Sequence, residues 1–134
     1  MKHNAIQILA CSCLLLLMAC KKEVDCEKPP GLKGEWIWVK SVGGFGGWTE
    51  TPETNKATKT LKIDDALFRE YRNDSLVFQS KYTLGVSDKT LLGTEDRNYI
   101  AFESGDEKAI IVGESELELI DQCYDCFSHK YRRK

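Results

Sequence analysis

From residue 34 onward, apolar and polar side chains alternate in short runs, and no window keeps helical apolar spacing for three turns. Period-two alternation puts successive side chains on opposite faces of an extended chain, so each run reads as a strand with one buried and one wet face. The pattern is clearest where Leu76, Phe78, Tyr82 and Leu84 alternate with Val77, Gln79, Lys81 and Thr83. It recurs where Leu117 and Leu119 alternate with Glu116 and Glu118. Eight strands are predicted, over residues 35–42, 58–63, 67–72, 75–84, 97–103, 108–112, 116–120 and 127–132. Turn residues fall between them: Asp64-Asp65, the hairpin signal Asn73-Asp74, Ser104-Gly105-Asp106-Glu107 and Gly113-Glu114-Ser115. Consecutive hairpins favour an antiparallel meander, and eight strands suffice to close an up-and-down barrel with no exposed edge. The expected fold class is all-β.

Two connections, residues 43–57 and 86–96, are long for so small a domain. The first opens Gly43-Gly44-Phe45-Gly46-Gly47-Trp48, where glycines release the backbone while Phe45 and Trp48 carry apolar surface. Such a segment is either a functional lid or a plug packed over a barrel end.

The first residues follow a different pattern. Lys2 and His3 precede an apolar stretch over residues 6–18, broken only by Gln7 and Ser12. It is shorter than the roughly 20 residues a membrane-spanning helix needs, and it has the form of an export signal. It ends Leu17-Met18-Ala19-Cys20 and is followed at once by Lys21-Lys22-Glu23. That resembles the bacterial lipoprotein signal, in which a small residue precedes a cysteine that is acylated and becomes the new N-terminus. The implied organisation is a signal peptide over residues 1–19, a lipidated Cys20 with a polar tether over 20–33, and a barrel over 34–134. Several acyl chains, palmitate among them, at about 0.8 kcal/mol per buried methylene, would hold the protein on a membrane. Pro29-Pro30 stiffens the tether. Lys22-Glu23 with Asp25 faintly resembles a charged tag for export to the cell surface.

Composition narrows the function. The chain has 134 residues with 42% hydrophobic and 30% charged side chains, the content of one domain. Lys plus Arg is 19 against 21 for Asp plus Glu, a net charge of -2, which excludes a nucleic-acid binder held by bulk charge. There is no nucleophile elbow, no phosphate-cradling Gly-x-x-x-x-Gly-Lys and no His-Glu-x-x-His. Past the leader, His129 is the one histidine available for acid–base work, and a lone strand histidine is more often a hydrogen-bonded core residue. The acid pairs Asp64-Asp65 and Glu116/Glu118 read as turn and solvent face. No catalytic residue, cofactor or metal is assigned, and the chain is expected to be non-enzymatic and monomeric.

Leu32-Lys33-Gly34-Glu35-Trp36 resembles the Gly-x-Trp opening of lipocalins and their relatives. The resemblance implies that Trp36 packs across the closed end of an eight-stranded barrel and that a basic residue late in the last strand, Arg132 or Arg133, covers it. The wider pattern of Cys20, Gly34-Glu35-Trp36-Ile37-Trp38-Val39, a glycine-rich loop with Thr51-Pro52 and Asp121-x-Cys123 is similar to small lipocalin-like lipoproteins of Bacteroidota. That family is largely without assigned activity. The likeness therefore implies a fold and an address, the outer membrane on its periplasmic or surface face.

An interior of this size either is filled by side chains or holds one small ligand. For a hydrophobic ligand, the candidate residues are Trp38, Phe78, Tyr82, Ile100, Phe102 and Leu119 on the strands, with Phe45 and Trp48 on the lid. The alternative is an interaction or scaffold module whose loops bind an envelope protein or glycan.

Six cysteines remain to be placed. Cys11 and Cys13 leave with the signal and Cys20 is acylated, so Cys26, Cys123 and Cys126 remain. An odd number in an exported chain implies one bridge and one free thiol, or an intermolecular bond. The expected bond joins Cys26 to Cys123 or Cys126, closing a loop of about 100 residues worth roughly 4–5 kcal/mol in the chain-entropy model. Two other readings exist: a redox Cys123-x-x-Cys126, and a Cys3His zinc set of Cys26, Cys123, Cys126 and His129.

Overall fold

A computed structural model describes residues 31–87 and 97–134. The expected signal peptide, Cys20, Cys26 and most of the expected tether lie outside these residues, as does most of the second long connection. The order of elements is β1 (Gly34–Gly43), β2 (Trp48–Glu50), α1 (Pro52–Asn55), β3 (Lys59–Ile63), β4 (Leu67–Arg72), β5 (Ser75–Ser87), β6 (Arg97–Phe102), β7 (Glu107–Val112), β8 (Glu116–Asp121) and β9 (Phe127–Arg133). From β3 to β9 each strand pairs antiparallel with the next in sequence, and β1 pairs with both β3 and β9. The result is a closed eight-stranded antiparallel barrel. The short β2 lies further along the same side of β1 that β3 occupies, through Ser41↔Glu50 to Gly43↔Trp48.

The hairpins follow from local chemistry. Asn73 and Asp74 both take positive φ, 48° and 65°, as a two-residue turn matched to the twist of its strands requires. Asp64 accepts the N–H groups of Ala66 and Leu67, closing the β3–β4 turn. Those two bonds, with the Arg69 guanidinium beside them, hold the Asp64 carboxyl down at about 2. The segment over residues 43–57 is more ordered than its glycines suggested. A turn closed by Gly47 N–H to Gly44 C=O leads into β2, and Thr51 and Thr54 then cap each other's backbone around Pro52 to start α1.

Strict alternation fails at two places. In the β1–β9 ladder Trp38 pairs with Tyr131 and Lys40 with Lys130, so Val39 is an extra, bulged residue. In β4–β5, Glu70 pairs with Phe78 and Tyr71 with Leu76, so Val77 is another. A bulge exchanges the inward and outward faces beyond it. Trp36 and Trp38 point inward before the first bulge, and Ser41 points inward after it, while Val39 and Lys40 are exposed. Leu76, expected inside, is exposed because it lies beyond the second bulge.

The register gives the barrel two unlike ends. At one lie the start of β1 and the end of β9. Trp36 is fully buried there and donates its indole N–H to Leu32 C=O at 2.9 Å. The Arg133 guanidinium stands 4.2 Å over the Trp36 ring and donates to the carbonyls of Gly31, Lys33 and Glu114. Gly34 has φ +136°, and a Cβ there would come within 2.9 Å of Arg133 Nη1, so glycine is demanded by both backbone and neighbour. Arg132, the other candidate, is exposed. Leu61, Ile63, Ile100, Ile110 and Leu117 fill the barrel between this seal and the middle.

Candidate functional site

The opposite end is open. The β6–β7 turn, the β8–β9 turn and the start of β3 surround a cavity of about 640 Å³ that runs into the barrel. Its apolar wall is Phe68, Phe78, Phe102 and Leu119. The three phenylalanines meet edge to face, with ring centroids 5.0 to 6.1 Å apart, an arrangement aromatic quadrupoles favour. Lys59, Glu70, Lys108, Asp121, His129 and Tyr131 supply its polar groups, and Cys123 and Cys126 sit on its rim.

A hydrogen-bonded relay runs along one side. Trp38 Nε1–H donates to Ser41 Oγ at 2.9 Å, and Ser41 Oγ lies 2.7 Å from His129 Nδ1. His129 Nε2 lies 3.2 Å from Asp121 Oδ2, and Lys108 Nζ pairs with Asp121 Oδ1. With Nε2–H given to Asp121, Nδ1 accepts from the Ser41 hydroxyl. Burial opposes ionisation of Asp121, but the bonds from His129 and Lys108 outweigh it and hold the carboxyl at about 2. Ser41, His129 and Asp121 are the residue types of a hydrolytic triad, yet Ser41 is fully buried and its oxygen already accepts from Trp38. The relay orients the imidazole and presents no serine oxygen to the cavity.

Of the residues expected to contact a ligand, Phe78, Phe102 and Leu119 line the cavity. Trp38 is buried beneath Lys59, whose ammonium lies 4.4 Å from the ring centroid. Ile100 is fully buried in the core and does not reach the cavity. Tyr82 turns away and donates its hydroxyl to Asp64 C=O at 2.7 Å. Burial and the Asp65 and Asp64 carboxylates push that phenol's pKa up. Phe45 and Trp48 do not form a lid: they are 97% and 71% exposed, because the turn and β2 carry them along the outside of β1.

The disulfide also differs from expectation. Cys123 is joined to Cys126, not to Cys26, across the β8–β9 turn, with Cα atoms 5.3 Å apart. Both sulfurs are consumed, so they offer no thiolate pair for the Cys3His zinc set. Sequence reasoning missed Lys59, Phe68, Glu70, Lys108, Asp121 and Tyr131 as cavity residues. Strand alternation marks Phe68 and Glu70 as sharing a face, which was an available signal. Nothing local marks Ser41, 88 residues from its partner His129. Compared with protein-family models, curated proteins and solved structures, the chain matches none.

Proposed function

We propose that this chain is a non-catalytic lipoprotein that binds one small, partly apolar ligand in the open end of its barrel. The observation carrying the reading is the cavity of about 640 Å³, open at one end and sealed at the other. Small-molecule sites commonly occupy about 300–1,000 Å³ with mostly apolar walls and few polar groups. The anchor is read from Met18-Ala19-Cys20. Gly31 enters the barrel at the sealed end, opposite the cavity mouth.

Native mass spectrometry of the full chain isolated from its source organism tests both parts. The expected spectrum shows an acylated N-terminal Cys20 and a retained small molecule that is lost on denaturation. An unmodified Cys20 would overturn the anchor, and an interior that takes up no small molecule would overturn the binding. A second reading, an interaction module for another envelope protein, draws on Phe45 and Tyr124 in turns and Trp48 at the start of β2, all exposed at the open end. Loss of partner capture in Phe45→Ala/Trp48→Ala with ligand retention unchanged would favour it.

A further inference from the structure

The cavity's polar groups are unequally satisfied. Lys108 is paired with Asp121, and both nitrogens of His129 are engaged, by Ser41 and by Asp121. Lys59 rests its charge on the Trp38 face. Of the groups inside the mouth, Glu70 and Tyr131 are left over. Glu70 lies on the cavity wall between Phe68 on its own strand and Phe78 across the ladder, and its carboxylate has no hydrogen bond or ion pair among the described residues. Tyr131 is only 4% exposed, and its hydroxyl has no partner there either. Among the described residues no side-chain polar atom is both sealed off and unpaired, so that hydroxyl opens into the cavity space. The two groups line the same cavity, and burial, with the Glu70 and Asp121 carboxylates, pushes the Tyr131 phenol's pKa up, so the phenol stays a neutral donor and acceptor.

A carboxylate on an aromatic wall that none of the cavity's own cations pairs asks for a cation. The phenylalanine faces favour the same charge. Asp106 and Glu107, exposed at the mouth, give the entrance the matching sign. We infer that the cavity takes a small amphipathic amine, its ammonium held by Glu70 and Tyr131 and its apolar body against Phe68, Phe78 and Phe102. This inference rests on the reading of the barrel interior as a ligand site and adds the ligand's charge.

Three probes with one body and three charges separate the two claims: 3-phenylpropylamine, 3-phenylpropanol and 3-phenylpropionate, titrated calorimetrically into the full chain. The expected order is amine, then alcohol, then acid, with the amine at least about tenfold tighter than the alcohol, the value of one charge-assisted hydrogen bond. Glu70→Gln should bring amine and alcohol within about threefold of each other, and Tyr131→Phe should weaken the amine about threefold to tenfold. The order among probes on the unsubstituted chain decides the matter even where a variant fails to fold. Alcohol or acid binding as tightly as the amine would overturn the amine inference and leave a ligand site standing. Binding of none of the three would overturn both.

Discussion

Arg133 acts on several partners at once. Its charge faces the Trp36 ring, and its N–H groups hold three carbonyls from two separate segments, Gly31 and Lys33 before β1 and Glu114 in the β7–β8 turn. A cation–π contact is worth about 0.5–2 kcal/mol and a charge-assisted hydrogen bond about 1.5–3 kcal/mol. Arg133→Ala should therefore cost about 2–4 kcal/mol in chemical denaturation, and Arg133→Lys less, since an ammonium lacks the planar fork. The adjacent exposed Arg132→Ala should change stability by no more than about 0.5 kcal/mol. Asp121 gives a pH signature. Its folded pKa is lowered to about 2, so the stability it contributes is present above the unfolded carboxylate value and is lost as pH falls from about 4 toward 2. Asp121→Asn should lower stability near neutrality by roughly 2 kcal/mol, and its difference from the parent should shrink across that window in pH-dependent melts.

Strands and turns were legible wherever chemistry is local. The period-two runs gave the barrel strands to within a few residues, and Asn73-Asp74 marked its hairpin because few residue pairs accept positive φ twice. The bulges were not legible. Val39 and Val77 are ordinary strand residues, and their extra place appears only in the partner strand's count. Equally hidden is the close approach at Gly43, where a Cβ would collide with the Cys126 carbonyl and Phe127 Cα as β1 meets the β8–β9 turn. Gly43→Ala should cost about 1–3 kcal/mol from overpacking. At Gly113 a Cβ meets nothing closer than 3.4 Å, so Gly113→Ala should stay within about 0.5 kcal/mol. Parallel urea titrations of the two variants compare these costs.

For the molecule as a whole, closure makes the chain's ends neighbours: β1 and β9 pair from Trp36↔Arg133 to Gly43↔Phe127. The Gly-x-Trp opening and the late basic residue therefore meet through barrel topology, without a covalent tie between the ends. The disulfide instead spans three positions in one turn. In the chain-entropy model so short a loop contributes about 2 kcal/mol, against roughly 4–5 for the long loop that Cys26 would have closed. Cys123→Ser/Cys126→Ser should accordingly lower stability by about 2 kcal/mol, and non-reducing peptide mapping should find Cys123 linked to Cys126. A loss near 5 kcal/mol, or a Cys26-containing bridge, would contradict the short loop.

The order of residues was enough for the barrel class and most strand limits, while the meeting of Trp36 with a late arginine was expected from the Gly-x-Trp resemblance, with Arg132 and Arg133 left open. Alternation, turn dihedrals and ring closure are all written in neighbouring positions or in the mere count of strands. The cavity's occupants were not. Whether Ser41 or Lys40 faces inward depends on a bulge against a strand nearly ninety positions away, set by the β1–β9 register. Which aromatics border open space and which are packed shut depends on how far each strand runs past its neighbours. Glu70 and Tyr131 come to share one unfilled volume because β4 and β9, separated by β3 and β1 around the ring, both turn them inward, a relation between distant segments that no short window of residues contains.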